Sequence, residues 1–446
     1  MCGICGFTGE VISRDDTIER MTKVITHRGP DSSGFYKEPD SKITMGFRRL
    51  SIIDLDAGHQ PIYNEDKSMV LTFNGEIYNY RDLRKELIEL GHTFYTESDS
   101  EVLIHGFEQW QEKLLDRLRG MFGFAIYNLK DNSLFIARDF FGIKPMHYAQ
   151  VGNNFVYGSE IKSILEFPGF EKKFNYRTLD NYLSFQYAVP PETFFEGVYC
   201  LMPGHYLWYK DGKVTTTRYW EARFEPDESL TEEQAIDEIE KVFENSVNAH
   251  KISDVEVGCF LSSGVDSSYV STYFADQKTF TVGFDFGEKY NEISWAQRLS
   301  KKIGVDHHYK LIKSEEFWGS IKKVQYHMDQ PLADPSCIAL YFVSKIASEH
   351  VKVVLSGEGA DELFGGYTCY NDPRVFKVYQ KLVPYGLRKG ICSLMKKLPD
   401  IKGRDYLIRA THPLEDRFIG NAFMYDLEEK KKILKQNSRV QILNED

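Results

Sequence analysis

The chain has 446 residues, 42% of them hydrophobic, and a formal net charge of −11. That length exceeds what a single core usually spans, so two or three domains are expected, and the acidic balance disfavours nucleic acid as the main partner. No apolar run is long enough to read as a membrane span, and the charged N-terminal stretch lacks the apolar core of a secretory signal. The seven cysteines are an odd number and too scattered for a disulfide framework, which points to a reducing cytoplasm.

The chain opens MCGICGFTG. Cys2 can be there for packing, for a metal or for catalysis. Removal of Met1 would leave a thiol and a free α-amine on one residue. A free thiol titrates at about 8.5 and an α-amine at about 8, so the amine can act as the local base for its own nucleophile. Cys2 and Cys5 form a C-x-x-C, but no second C-x-x-C or His pair completes a zinc site with them. A redox pair of the thioredoxin type would follow a strand and open a helix.

Residues 3–8, 43–54 and 68–74 read as short strands, the last running into Asn74-Gly75. YRDLRKELIELG reads as an amphipathic helix stopped by Gly91, and MFGFAIYNLKDNSLFIARD as a hairpin turned at Asp131-Asn132. NNFVYGSEIKSIL and YCLMPGHYLWYKDGKVTTTRYW add further strands. Polar residues gather at the strand ends: HRGPDSSG (27–34), Arg49, Asn74-Gly75-Glu76 and Ser98-Asp99. Taken singly, Gly-Pro-Asp is a turn, Asn-Gly a hairpin turn and Arg49 a solvated strand residue.

A polar boundary falls around 218–230, followed by a capped helix start between Asp227 and Gln234. The rhythm then becomes strand–helix alternation: DVEVGCFLS, GVDSSYVSTYFADQ, KTFTVGFD, NEISWAQRLSKKIG, HHYKLI, helices near 314–327 and 337–349, and the buried strand VKVVL. Such alternation predicts a doubly wound parallel sheet with its chemistry beyond the strands' carboxyl ends. Two strand-end loops stand out. Ser262–Ser268 can close backbone N–H groups on an anion, or simply be a Ser/Gly turn that caps a helix. It is not a Walker A loop, because the Gly-Lys-Ser/Thr ending is missing. The loop 356–367 sets Glu358, Asp361 and Glu362 among glycines, which suits Mg²⁺ beside phosphates or a merely solvated acidic turn.

MCGICG, HRGPD, RLSIID, FNGEIYN, SDSE, RDFFGIKP and SEIKS, in this order, resemble the glutaminase domain of class II glutamine amidotransferases, and more narrowly that of glutamine-dependent asparagine synthetases. Those domains are α+β N-terminal-nucleophile hydrolases, two packed antiparallel sheets with helices. The later loops, with QPLADPS (330–336), resemble the same family's α/β ATP-pyrophosphatase domain. The resemblance implies a glutaminase domain over 1–217 and a synthetase domain over 231–446. It makes Cys2 the nucleophile, with Asn74 and Gly75 as oxyanion donors. Glutamine would be bound by Arg49 at its α-carboxylate, by Leu50, Ser51, Ile52 and Ile53, and by Glu76 and Asp99 at its α-ammonium. Ser262, Gly264, Asp266, Ser267 and Ser268 would hold the pyrophosphate end of ATP. Leu261, Val282, Ser356 and Gly357 would contact the nucleotide, Asp266 and Asp361 would ligate Mg²⁺, and Glu358 would stand at the reacting carboxylate.

The implied reaction joins ammonia from glutamine to aspartyl-AMP, giving asparagine, glutamate, AMP and pyrophosphate in the cytoplasm. The implied partners are glutamine, aspartate and ATP, with neither nucleic acid nor membrane; a homodimer is compatible with the sequence. The alternatives are amidation of another carboxylate, such as a cell-wall or natural-product precursor, and a regulatory homologue that keeps only glutaminase activity. Ser263 replaces the usual first glycine of the phosphate loop, so the backbone there must tolerate a Cβ. The resemblance also implies segments that do not appear after GGY, among them a lysine at the adenylate; Lys389, Lys396 and Lys397 are not assigned to it. On that reading the chain is incomplete at its C-terminus, hydrolysing glutamine while making amide poorly.

Overall fold

A computed structural model describes the chain except residues 39–40, 275–276, 286, 288–290, 368–369, 371–372, 400, 413–421, 426 and 435–446. The first half begins with β1 (Gly3–Thr8), α1 (Arg14–Lys23), β2 (Ser32–Tyr36), β3 (Ile43–Arg49), β4 (Ile62–Tyr63) and β5 (Met69–Ile77). Helices α2 (Tyr80–Glu89) and α3 (Glu101–Trp110) lead to β6 (Gly120–Asn128), β7 (Ser133–Arg138), β8 (His147–Val151) and β9 (Asn154–Gly158). Then come α4 (Ile161–Ile164), α5 (Tyr176–Phe185), β10 (Val198–Cys200), β11 (His205–Lys210) and β12 (Lys213–Arg218). The strands form two six-stranded antiparallel sheets, ordered β10-β8-β9-β1-β3-β2 and β12-β11-β7-β6-β5-β4.

Side chains alternate across a strand, and here that period sorts the core into layers. Ile4, Met45 and Phe47 of the first sheet meet Val70, Ala125 and Tyr127 of the second in a core between the sheets. The opposite parity, Cys5 and Phe7, faces outward onto Ile18 and Met21 of α1 and Ile161 of α4. Leu71 and Phe73 face outward from the second sheet onto Leu83 of α2 and Phe107 of α3. The result is helix, sheet, sheet, helix, as the N-terminal-nucleophile fold requires.

Four readings need correction. The strand expected over 43–54 ends at Arg49, and the residues after it form a loop. SEIKSIL is not strand, because Ile161 and Ile164 are one helical turn apart and are buried together on α4. Asn74-Gly75 is no hairpin turn, since it lies inside β5 with Gly123 and Phe122 opposite. The fourth concerns burial: Arg49 is 4% exposed, not solvated.

After β12, Thr231 caps α6 (Glu232–His250) in a reciprocal box with Gln234. The chain continues through β13 (Val257–Phe260), α7 (Val265–Ser271), β14 (Lys278–Phe284), α8 (Ile293–Ile303) and β15 (Asp306–Ile312). Helices α9 (Ser314–Met328) and α10 (Ser336–Ser348) precede β16 (Val353–Leu355). All pairings are parallel, in the order β15-β14-β13-β16. Order reverses between β13 and β16, and the crevice at such a switch point is where open α/β sheets bind ligands. VKVVL was expected to be buried, but it is only half-buried because it is the edge strand.

Residues 1–179 and 187–356 form one compact unit; 180–186 and 357–446 form a second. The second unit holds α11 (Ala360–Phe364), α12 (Arg374–Leu382), α13 (Tyr385–Met395), α14 (Arg404–Thr411) and a last helix, Leu427–Ile433. Within it, Gln380 of α12 and Arg388 of α13 donate to the C-terminal carbonyls of α14, at Ala410 and Thr411. Among the described residues no helix is long and apolar enough to cross a membrane.

Candidate active site

Strand parity brings the first group of residues together. Cys2 precedes β1 in phase with Ile4 and packs against the core between the sheets. Arg49 ends β3 in phase with Met45 and Phe47, next to the pairing of Gly3 with Arg48. From the other sheet, Asn74 and Glu76 share the inward parity of Val70. One pocket is lined by Cys2, Arg49, Leu50, Ile52, Ile53, Gly75, Glu76 and Asp99. Ser51 is not among its lining residues; its N–H donates to Asp31 Oδ2 at 2.9 Å.

The Cys2 sulfur accepts from the Leu50 N–H at 3.4 Å, and the Cys2 carbonyl accepts from Arg28 Nε at 2.8 Å. Burial raises the thiol pKa. The α-amine of Met1 is pushed the opposite way, to about 5, by burial, with the charges of Lys144 and Arg28 adding. Met1 as a residue is half-exposed, so it is the amine itself that is shielded. With Met1 in place, that amine is neutral at neutral pH.

Asn74 is 1% exposed, and both its amide oxygen and its amide nitrogen lack a partner. A buried polar group left unpaired costs roughly 1–3 kcal/mol, so the fold carries this donor for something outside itself. Gly75 supplies a second donor by register. Asp139 N–H donates to the Phe122 carbonyl at 2.8 Å, while Phe122 N–H donates to Asp139 Oδ2 at 3.2 Å. A residue in an antiparallel ladder turns both backbone groups to one side. Phe122 therefore turns away from β5, and Gly75 opposite it turns away from β6. The pairing of β4 stops at Leu71, so the Gly75 N–H faces an unpaired edge. A Cβ on Gly75 would lie 2.1 Å from the Met121 carbonyl oxygen, which excludes any other residue.

The carboxyl groups of Glu76 and Asp99 are raised by burial, that of Glu76 also by the charge of Asp99. Asp99 accepts from the Ile77 N–H at 2.9 Å, whereas Glu76 Oε2 is buried without a partner. A positive ligand group between them would lower both. The guanidinium of Arg49 donates to the Leu55 and Ile53 carbonyls at 3.2 and 3.3 Å and also to Asp54, and so holds the loop beyond β3.

Residues beyond those expected brace this pocket. Arg28 also reaches Glu160 Oε1 at 2.9 Å, and His27 reaches the same oxygen at 2.9 Å. Against the upward push of burial, the His27 hydrogen bond and the charges of Arg28 and Lys162 hold Glu160 at about 2. Lys162 bonds Asp329 at 2.7 Å. Two contacts tie the loop after β3 to the parallel-sheet half: Asp254 N–H donates to the Ile52 carbonyl at 3.0 Å, and Asp54 N–H to Asp254 Oδ2 at 2.7 Å. Asp31, beneath Ser51, also pairs with Lys352 at 2.7 Å. HRGPD and SEIKS carry His27, Arg28, Asp31 and Glu160, so a signal existed; their partners across the chain had none.

The second group sits past β13. Leu261 is buried, its N–H donating to the Phe280 carbonyl at 2.9 Å. Beyond it the hydroxyls satisfy one another: Ser267 Oγ lies 2.7 Å from Ser262 Oγ, and Ser268 Oγ donates to the Gly264 carbonyl at 2.6 Å. Ser263 is exposed and is not among the residues with positive φ, so its Cβ is accommodated. Asp266 stands in the first turn of α7. Val282 lies within β14 and Ser356 directly follows β16. Gly357, Glu358 and Asp361 belong to the second compact unit. The oxygens of Asp266, Ser262, Ser267 and Ser268 are hard donors, the kind Mg²⁺ prefers.

Residues 1–220 match the family described as "Glutamine amidotransferase domain", and residues 238–441 match "Asparagine synthase". The chain is 40% identical to asparagine synthetase [glutamine-hydrolyzing] 1 of Bacillus subtilis, over 97% of this chain and 70% of the relative. It is 37% identical to a putative asparagine synthetase [glutamine-hydrolyzing] of Mycobacterium tuberculosis, over 97% of this chain and 71% of that one. It is also 31% identical to a protein of Gibberella zeae named amidase chry2, over 83% of this chain and 60% of that one. The chain belongs to the glutamine-hydrolysing asparagine synthetases, ATP-dependent ligases that draw their nitrogen from glutamine.

Proposed function

We propose that Cys2, freed of Met1, attacks the side-chain amide carbon of glutamine, with its own α-amine taking the thiol proton. The tetrahedral oxyanion is held by the Asn74 amide and the Gly75 N–H. Donors of this kind are worth roughly 3–4 kcal/mol each when fixed in a dry site. Collapse expels ammonia and leaves a thioester, which water hydrolyses to glutamate. Arg49 and Leu50–Ile53 take the α-carboxylate end, while Glu76 and Asp99 take the α-ammonium. The buried, unpartnered amide of Asn74, which precedes Gly75 of the pocket lining on β5, carries this reading.

In the synthetase domain, assigned to 231–446 behind a glutaminase domain of 1–217, ATP adenylates aspartate and releases pyrophosphate. Ammonia then displaces AMP to give asparagine. Ser262, Gly264, Asp266, Ser267 and Ser268 hold the pyrophosphate end, and Leu261, Val282, Ser356 and Gly357 the nucleotide. Glu358 serves the reacting carboxylate. Asp266 and Asp361 would hold Mg²⁺, which would supply neutralisation of phosphate charge. We assign the protein to the cytoplasm, with small-molecule substrates and no nucleic acid or membrane partner; a homodimer is compatible with the sequence.

The test supplies purified chain with glutamine, ATP, Mg²⁺ and a panel of carboxylic acids, and measures AMP and amide product. Aspartate is expected to give the fastest AMP release of the panel, with asparagine as the amide product. Faster release with another acid would reassign the acceptor.

A further inference from the structure

Away from the glutamine pocket, four side chains from three segments converge in the first half. Glu65 follows β4, His92 follows α2, and His105 and Glu108 stand on α3. One ligand atom from each lies within 4.8 Å of all the others. Glu65 bridges the two imidazoles, with Oε1 3.1 Å from His92 Nδ1 and Oε2 3.2 Å from His105 Nδ1. Four donors at zinc bond lengths stand about 3.4 Å apart at the corners of a tetrahedron, so these spacings suit one ion.

The outer contacts decide which nitrogens carry protons. His105 is 0% exposed, and its Nε2 lies 3.3 Å from Glu101 Oε1. His92 Nε2 lies 3.3 Å from Gln109 Oε1. Both outer partners are acceptors suited to an Nε2 proton, an arrangement typical of metal-bound histidines. The Nδ1 of His105 is then a lone pair facing a carboxylate, whereas His92 Nδ1 and Glu65 Oε1 form an aligned hydrogen bond at 3.1 Å that a bound ion would replace. The geometry agrees: His105 Nδ1 makes no aligned hydrogen bond, and neither does the buried Glu108 Oε2. Glu108 Oε1 is held from outside by Asn64 Nδ2 at 3.2 Å.

We propose that Glu65, His92, His105 and Glu108 bind one divalent ion of the zinc class. Two imidazoles and two carboxylates are a borderline donor set that suits zinc better than Mg²⁺ or Ca²⁺. All four positions are filled by protein, so the site is structural. It ties the turn after β4 and the end of α2 to α3, whose first residue, Glu101, lies two positions after Asp99.

The whole chain, stripped with a chelator and dialysed, is titrated with Zn²⁺ by calorimetry, with metal content and thermal midpoint followed. One Zn²⁺ per chain is expected, with a raised midpoint. Glu65→Gln preserves shape and His92 is only partly buried, so Glu65→Gln and His92→Ala both leave a folded protein to compare. Each is expected to weaken Zn²⁺ binding at least about 100-fold, to abolish the midpoint shift and to keep glutaminase turnover. Zn²⁺ held equally tightly by parent and both variants would overturn the proposal, since the ion would then sit elsewhere, for example on thiols. Far less than one equivalent bound, or an unmoved midpoint in the parent, would overturn it as well.

Discussion

The two reaction sites treat polar groups in opposite ways. Around Cys2 the scaffold is closed and apolar, yet Asn74 and Glu76 are left without partners inside it. Past β13 the loop is half-exposed, and its hydroxyls bond to one another. The first site is organised before its substrate arrives. On the proposed reading, the second exchanges internal hydrogen bonds for phosphate contacts, so its order comes with the ligand. Substitutions should therefore affect chemistry at the first site and nucleotide binding at the second.

The largest expected effect is that of Cys2→Ala. Glutamine hydrolysis should fall at least about 10⁴-fold, while the ammonia- and ATP-dependent reactions keep the parent rate. Ammonia release and pyrophosphate release, assayed side by side, check this; mass spectrometry of the parent should show Met1 absent. Asn74→Ala comes next, with a loss of roughly 10²–10³ in kcat for glutamine. Its thermal midpoint should hold or rise, because the variant removes an unsatisfied buried amide. A midpoint that dropped while kcat held would make Asn74 a packing residue and break the contrast.

Asp266→Asn tests the other side. Loss of one charge beside cation and phosphates should slow ATP-dependent pyrophosphate release by about 10²-fold, leaving glutaminase turnover unchanged. The smallest effect is one of pH. Glu76 and Asp99 retain protons above the usual carboxylate range, Asp99 up to about 7. An α-ammonium favours their ionised forms, so glutamine binding releases protons and KM should fall several-fold as pH rises through about 7. The sign reverses for the ligand-free fold. Its carboxyls bind protons more tightly than in the unfolded chain, so its stability declines as pH rises over the same range. Initial-rate kinetics and denaturant unfolding across pH measure the two.

What could be read from the residues follows a physical divide. Strand alternation and helical spacing are local, so the strand over 3–8 and the helical face of YRDLRKELIELG were legible. Asn74-Gly75 misleads on turn chemistry, since pairing with β6 keeps it in the strand. SEIKSIL misleads because four residues carry too few apolar positions to separate periods of 2 and 3.6. The half-burial of VKVVL depends on which strands flank it, a fact of topology alone. The Glu65–His92–His105–Glu108 cluster was hidden for the same reason. The sequence excludes a zinc site built from Cys2 and Cys5, but a site assembled from three segments leaves only the His105/Glu108 spacing on one helix face as a trace.

The contacts of Asp254 with Ile52 and Asp54 bear on how portable the glutaminase domain is. A fragment cut near residue 220 would keep Cys2, Asn74 and Arg49 but lose the far anchor of the loop that follows Arg49. Such a fragment would still carry the chemistry, but with a slack glutamine loop and a weaker grip on its substrate. On the proposed reading, the functional module would reach past the boundary visible in sequence. Transplanting this domain onto another synthetase would require carrying residues around 254 with it.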